Sequence, residues 1–231
     1  MRDFKRCCCK FFIIALLCSF LPYEAVSADG FPLRVNNVSG LNGPGPLVGG
    51  LPVPKGAVND ATAVGILSGG KPVPAQVNVS ATWRDGSIRW ALAAFTETPQ
   101  ADYRVAYGKG VSGRSPERPL RLAKGDKGAL TVNTGAAVYS FLPDRLLPEE
   151  VRMGGTTVLS GAGDGAYLVD NRGRRASVAG PHAEVTTAIR QQGPARLVLL
   201  RKGWYVTSDG DRVGRTQAWF HFAANSPFLK I

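Results

Sequence analysis

Cysteine is absent from the sequence after residue 18, since the four cysteines are Cys7, Cys8, Cys9 and Cys18. The rest of the chain can therefore form no disulfide, and it offers no thiolate nucleophile or cysteine ligand for zinc. Stability has to come from apolar burial, for which a chain of 231 residues is long enough. This absence excludes a small disulfide-stapled scaffold.

Histidine is also scarce, with His182 and His221 as the only two. A general base or a metal centre usually recruits histidine, but these two are far apart and neither has a second ligand at a suitable spacing. The sequence also contains no Gly-x-Ser-x-Gly nucleophile motif and no phosphate-binding loop. We therefore predict no catalytic residue, no metal site and no cofactor, and we expect His221 to be a packed side chain.

Long apolar runs are missing except at the N-terminus, where Phe11–Leu21 follows a basic segment. About eleven apolar residues are typical of a signal-peptide core, whereas a membrane span needs roughly 20. Small residues predict cleavage after Ala28, so residues 1–28 are interpreted as a signal peptide and the protein as secreted or periplasmic. An uncleaved anchor is the alternative, and bulky Leu17 disfavours a lipoprotein site at Cys18.

Acidic residues are in the minority, with 17 Asp and Glu against 28 Lys and Arg. Residues 1–28 hold four of the basic and two of the acidic residues, so the mature chain keeps a formal charge of +9. Such a chain is expected to meet acidic partners such as uronate polysaccharide, teichoic acid or anionic lipid. Scattered basic residues and export argue against nucleic acid. The prediction is an acidic polysaccharide partner, no nucleic acid and no stable membrane insertion, with the oligomeric state left open.

Helical periodicity is almost absent as well. The 28 glycines and 16 prolines interrupt short stretches rich in Val, Thr, Tyr and Trp. This pattern predicts an all-β fold of short strands and turns, either a barrel or a sandwich. A first block spans residues 31–107, a linker rich in Gly, Ser and Pro spans 108–119, and a second block spans 120–231.

The clearest hairpin is predicted over Gln76–Thr96. Asp85-Gly86 is a signal for a two-residue type I′ turn, which fixes the pairing of the two strands. One face is then apolar and the other more polar, as expected for strands that cover a core. The apolar pairs are Trp83 with Ile88, Ala81 with Trp90, Val79 with Leu92, and Val77 with Ala94.

Two further hairpins are predicted in the second block. Asp209-Gly210 turns Arg196–Ala223, and residues 171–173 turn Tyr167–Val178. The longer hairpin is apolar on both faces, so we expect both faces to be covered. Its predicted pairs are Val206 with Val213, Leu200 with Trp219, Leu199 with Phe220, Val198 with His221, and Leu197 with Phe222. The last residues, Ser226–Ile231, resemble the opening of another strand, and we expect a chain that has been cut short.

Three segments occur in an order that resembles a known family: Gly50–Ala57 (GLPVPKGA), Lys71–Gln76 (KPVPAQ) and Trp83–Trp90 (WRDGSIRW). They are similar to the N-terminal domain of exo-rhamnogalacturonan lyase-like proteins. The resemblance implies a small RIFT-type β-barrel followed by a partial β-sandwich, which Gln192–Arg196 (QGPAR) introduces. The family's C-terminal α/α toroid has no counterpart in this sequence, and none of its catalytic residues can be placed here.

The richest cluster of candidate binding residues lies on the first hairpin, at Trp83, Arg84, Arg89 and Trp90. Two interpretations stay open. The cluster binds sugar, with an indole against a ring and an arginine on a uronate carboxylate. Alternatively, both indoles fill the barrel core, which the predicted pairing favours because it puts them on the apolar face.

The leading functional prediction is an exported, non-catalytic or truncated portion of a lyase-like protein that acts on pectic, rhamnogalacturonan-type polysaccharide. The family resemblance carries it, and no lyase activity is expected from this chain alone. The alternative is an exported basic module that binds acidic glycan or cell-wall polymer without enzymatic activity.

Overall fold

The computed structural model describes residues 29–36, 43–99, 102–161 and 167–231. The predicted signal peptide and all four cysteines lie outside the described residues, so cleavage and export stay predictions. Within the described residues the regular structure is β-strand with three single turns of 3-10 helix, which confirms the all-β prediction. None of their helices has the length and apolar character needed to cross a membrane. The 3-10 turns are Ala61–Ala63, Asp126–Gly128 and Pro181–Ala183.

The first seven strands form two antiparallel sheets around one apolar core, as the predicted RIFT-type barrel requires. A four-stranded sheet has the order β1-β7-β3-β4, and a three-stranded sheet has the order β2-β6-β5. Leu51, Ile66, Ile88 and Val105 are at most 1% exposed in this core. The strands are β1 Asp29–Leu33, β2 Gly45–Pro52, β3 Val64–Ser68, β4 Lys71–Val73, β5 Ala75–Thr82, β6 Ile88–Glu97 and β7 Tyr103–Tyr107.

The second block is a two-layered β-sandwich. Phe141 of its five-stranded sheet meets Phe220 of its six-stranded sheet edge to face, with ring centroids 5.3 Å apart, a favourable geometry for aromatic rings. The five-stranded sheet contains β8 Arg121–Lys124, β9 Leu130–Asn133, β10 Ala137–Phe141, β11 Glu150–Met153 and β12 Thr156–Ser160. The six-stranded sheet contains β13 Tyr167–Val169, β14 Arg175–Ser177, β15 Thr186–Gln192, β16 Arg196–Thr207, β17 Arg212–Ala223 and β18 Leu229–Lys230.

The β5–β6 hairpin exists, but its predicted turn and pairing are wrong except at Ala81 and Trp90. The loop has three residues, 84–86, because Trp83 N–H donates to the Ser87 carbonyl (2.8 Å) and Gly86 alone has a positive φ, of 85°. One extra loop residue shifts the strands by one, so Val77 pairs with Ala93. A one-residue shift exchanges the two faces of a strand.

The β16–β17 hairpin is confirmed over most of its length. Leu200 pairs with Trp219, and Leu199, Val198 and Leu197 also have their predicted partners. Its loop again has three residues with Gly210 at φ 88°, so Val206 pairs with Arg212 and not with Val213. A bulge after Tyr205 restores the predicted pairing. The β13–β14 hairpin turns at residues 171–173, as predicted.

The expectation that both faces of the β16–β17 hairpin are covered is confirmed for the inner face but only in part for the outer face, where Val198 and Leu200 are buried and much of β17 is exposed. The inner face packs on the five-stranded sheet through residues such as Leu199 and Phe220, which are fully buried. On the outer face, Trp219 remains 41% exposed. The strand expected near the chain end is present as β18, which pairs with β17 at His221 and Phe222.

Barrel and sandwich meet through hydrogen bonds to a buried amide side chain. Gln76 Oε1 accepts from the backbone N–H groups of Ala195 (3.1 Å) and Arg196 (2.8 Å). A Cβ atom on Gly193 would lie 2.4 Å from Gln76 Cδ, so only glycine leaves room for this side chain. A further bond runs from Thr96 Oγ1 to the Ala224 carbonyl (2.7 Å). These contacts place the outer face of β2, β5 and β6 beside the outer face of β15–β17.

Candidate functional site

Trp90 lies on the surface of the barrel and is 43% exposed. Its cross-strand neighbours are Pro52 and Ala81, and a Cβ atom on Gly50 would lie only 3.8 Å from the indole. Because these neighbours are small, the large ring can lie across the sheet without displacing them. The interpretation that Trp90 fills the core is therefore wrong.

A β-bulge explains why two consecutive residues of β6 both face solvent. Ala81 pairs with Trp90 and the next residue, Thr82, pairs with Ile88, which leaves Arg89 as the extra residue. Bulges redirect side chains in this way. Ile88 and Ala91 on either side are buried, whereas Arg89 and Trp90 are exposed.

Trp83 supports Arg89. The Trp83 indole is half-buried and its Nε1–H donates to the Val53 carbonyl at 3.2 Å. The guanidinium carbon of Arg89 lies 4.9 Å from the centroid of the Trp83 ring, within the range of a cation–π contact. In the described part of the chain no carboxylate pairs with Arg89 or with exposed Arg84, so both cations are available to an anionic ligand.

Asp85 stabilises the hairpin loop through hydrogen bonds from Ser87. Its Oδ1 accepts from Ser87 Oγ (2.6 Å) and from Ser87 N–H (3.0 Å). The hydrogen bond from the Ser87 side chain, followed by that from its backbone, holds the pKa of Asp85 below its ordinary value. Ser87 Oγ accepts in turn from Gly56 N–H at 2.9 Å, which ties the hairpin loop to the loop that follows β2.

The structure thus brings the four predicted residues together at one end of the barrel. We name Trp83, Arg84, Arg89 and Trp90 the indole–arginine cluster. It combines a solvent-accessible indole face with two cations that have no ion-pair partner among the described residues. Sugar rings pack on indole faces, and arginine binds carboxylates through paired N–H groups, so the cluster has the chemistry for an acidic sugar.

A groove of about 480 Å³ lies between barrel and sandwich. Its barrel side includes Val48 and Ala94, and its sandwich side includes Arg196, His221 and Lys230. Sequence reasoning missed this groove because its walls come from distant segments. The QGPAR segment was the available signal, since it leads directly into Arg196.

His221 lies in this groove in contact with Arg196. Its Nδ1 lies 3.0 Å from Nη2 of Arg196, and an arginine can only donate, so Nδ1 accepts and the neutral ring carries its proton on Nε2. Burial, followed by the charges of Arg196 and Lys230, lowers the pKa of His221. His182 lies elsewhere, exposed in the 3-10 turn Pro181–Ala183.

The described residues contain no group of three His, Cys, Asp or Glu side chains arranged to hold a metal ion. Arg196 also donates to Gln191 Oε1, and Gln191 Nε2 donates to Asn78 Oδ1 at 2.9 Å. These side chains link the groove to the barrel sheet. The groove therefore offers hydrogen-bond donors and positive charge at the domain junction.

Comparison with known proteins identifies the barrel. Residues 37–108 match the family model of the PcRGLX-like N-terminal RIFT barrel domain. No curated protein sequence matches the chain. The matched range contains the whole indole–arginine cluster.

Proposed function

We propose that this chain, whose first domain is a PcRGLX-like N-terminal RIFT barrel of the rhamnogalacturonan lyase-like family, is an exported protein that binds pectic polysaccharide without cleaving it. The indole–arginine cluster is the binding site on the barrel. The observation that carries the proposal is the exposed Trp90 indole beside Arg89, which has no acidic partner among the described residues.

Each residue of the cluster has a role that its position supports. Trp90 stacks on a sugar ring, since its neighbours leave the indole accessible. Arg89, whose guanidinium lies over the Trp83 ring, binds the carboxylate of the adjacent galacturonate. Arg84, exposed on the same hairpin loop, adds a second cation. A polysaccharide that alternates neutral and acidic sugars provides both kinds of contact.

Two observations support the absence of cleavage, one beside the proposed ligand and one in the groove. Cleavage of a uronate by elimination needs a base for the C5 proton and a group that stabilises the resulting enolate. Asp85, the carboxylate in the same loop, already accepts two hydrogen bonds from Ser87. His221 holds its free ring proton on Nε2 and donates instead of accepting.

Isothermal titration calorimetry with oligosaccharides of the rhamnogalacturonan backbone tests the proposal. We expect Trp90→Ala and Arg89→Ala each to weaken binding about tenfold, the loss expected for one good contact to a charged or aromatic group. Binding should also weaken as salt is added, because part of it is an exposed charge interaction. No ultraviolet absorbance from an unsaturated uronate should develop during the titration.

Arg104→Ala is the matched control, because Arg104 is an exposed barrel arginine on β7, outside the cluster. Its affinity should equal that of the unchanged chain. Equal losses in Arg104→Ala and Arg89→Ala would show that net charge alone is measured, and the site would be wrong. Accumulation of unsaturated product would overturn the non-catalytic assignment.

A further inference from the structure

The sandwich carries a second surface with aromatic rings and cations, separate from the barrel cluster. On the outer face of the six-stranded sheet, three successive cross-strand pairs are Leu200 with Trp219, Lys202 with Gln217, and Trp204 with Arg215. Alternate residues of a strand share a face, so these pairs lie in a row along β16 and β17. Lys202, Arg215 and Trp219 are exposed.

Each tryptophan in this row has an arginine beside its ring. The Arg190 guanidinium carbon lies 6.0 Å from the Trp219 centroid, and that of Arg215 lies 4.5 Å from the Trp204 centroid. The two pairs are four residues apart along the strands, which corresponds to about 13 Å. Lys202 lies between them. This alternation of ring and cation extends over several sugar lengths.

The row has an excess of positive charge. In the part of the chain that the structure describes, Arg190, Lys202 and Arg215 have no ion-pair partner. Glu184, which lines the pocket beside Trp204, is bound by Arg212. The row also runs into the domain groove, because His221 follows Trp219 on the same face.

We propose that this row of side chains binds a polyuronate chain along the outer face of the sandwich. We name Arg190, Lys202, Trp204, Arg215 and Trp219 the outer track. The cations bind the carboxylates of the polymer, and the exposed indole of Trp219 packs on a sugar ring. This site goes beyond the barrel site, since it uses none of the cluster residues.

Charge complementarity selects an acidic polymer as the occupant over a second copy of the chain. A symmetric dimer would place one outer track against another, and like charges brought together without partners are repelled. A polyuronate supplies a negative charge on every sugar, at intervals shorter than the spacing of the two tryptophan–arginine pairs. An extended polymer can therefore follow the track into the groove.

Binding of polygalacturonate to the whole chain tests the track, measured by calorimetry at low and high salt. We expect Trp219→Ala, and separately the pair Arg190→Gln with Arg215→Gln, to weaken binding about tenfold or more. The control pair, Arg104→Gln with Arg121→Gln, removes the same charge from exposed positions outside the track. Thermal unfolding of each variant verifies that it is folded.

The possible outcomes distinguish binding at the outer track from attraction by net charge alone, and an acidic polysaccharide from other occupants. The proposal would be overturned by equal losses in the track pair and the control pair. Unchanged binding in the track variants, or equal affinity for carboxyl-reduced polygalacturonate, would also overturn it. So would equal affinity for a DNA oligonucleotide, or a dimer in light scattering that the track pair abolishes. Trp90→Ala is titrated in parallel with rhamnogalacturonan oligosaccharides. A loss there with no loss in the track variants on polygalacturonate refutes the track alone, and the reverse refutes the barrel site alone.

Discussion

Gln76→Met is a direct test of how barrel and sandwich are joined. Methionine has nearly the volume of glutamine but offers no strong hydrogen-bond acceptor, so the substitution removes the bonds without leaving a cavity. The N–H groups of Ala195 and Arg196 lose the oxygen that now lies 3.1 and 2.8 Å away. Gln76 is 6% exposed and Ala195 is 2% exposed, so water cannot replace that oxygen without opening the junction.

The size of the effect follows from the two orphaned donors. A buried donor without a partner costs about 1–3 kcal/mol, and the Arg196 N–H is only partly buried, so we expect a loss of about 2–4 kcal/mol in the free energy of unfolding. For a chain of this size the melting temperature should fall by roughly 5–15 °C. Chemical denaturation monitored by tryptophan fluorescence measures the loss directly.

Gly193→Ala should produce a similar loss by a different route, because the added Cβ would displace the Gln76 side chain. Since both substitutions remove the same bonds, the double variant should lose less than the sum of the two single losses. Gln192→Met is the matched control, an exposed glutamine for which a change within about 0.5 kcal/mol is expected. A loss below about 1 kcal/mol in Gln76→Met would refute the assigned role of these hydrogen bonds.

Three further predictions concern the core, a loop and the groove. Phe220→Ala should cost about 3–5 kcal/mol in calorimetric unfolding, because Phe220 is fully buried against the Phe141 ring. Gly86→Ala should cost about 1–2 kcal/mol in the same assay, because Gly86 has φ 85°. Arg196→Gln should raise the pKa of His221, observed by NMR titration of the imidazole, because it removes one of the causes that lower it. The pKa of His221 is lower in the folded chain than the unfolded value of about 6.5, so its contribution to stability should increase as pH rises through the folded pKa and level off above about 6.5.

Each of these predictions has a control with a different expected result. Phe228→Ala removes a 52% exposed ring and should change stability by under about 0.5 kcal/mol. Gly49→Ala lies in a strand without a positive φ and with open space around it, so no loss is expected. Arg121→Gln should leave the titration of His221 unchanged. Equal effects in a variant and its control would contradict the corresponding argument.

Much of the fold could be predicted because turns at glycine and the alternation of apolar and polar side chains depend only on residues that are close in sequence. Residues 171–173 marked one loop correctly, and apolar pairs such as Leu200 with Trp219 predicted the long hairpin away from its loop. The same reasoning failed next to Asp85-Gly86 and Asp209-Gly210, because an Asp-Gly pair suits a two-residue loop and the end of a three-residue loop equally well. Leu92 and Trp90 share a face of β6 in both arrangements, whereas their partners on β5 depend on the length of the loop, which the two residues themselves do not determine.

Buried polar groups were harder to predict than the strands. Arg201 pairs with Ala218 on the inner face and is 1% exposed, with its guanidinium carbon 5.0 Å from the Phe141 centroid. Its Nη2 donates to the Leu142 carbonyl at 2.7 Å, and burial lowers the pKa of Arg201 to about 10. A hydrophobic pattern assigns arginine to the surface, so no local rule places it in a core.

Only the part of the candidate site that consists of residues close in sequence could be predicted. The indole–arginine cluster lies on one hairpin, whereas the groove takes its walls from segments that are distant in sequence. Two of the segments that carried the family resemblance, Lys71–Gln76 and Gln192–Arg196, meet in space at the Gln76 hydrogen bonds. At this junction the missing side chain of Gly193 leaves room for the Gln76 side chain. Gln76 in turn holds the Arg196 backbone by a hydrogen bond, and the Arg196 side chain contacts His221. The segments that indicated the family thus set the orientation of the barrel on the sandwich, and through it the width of the groove between the two domains.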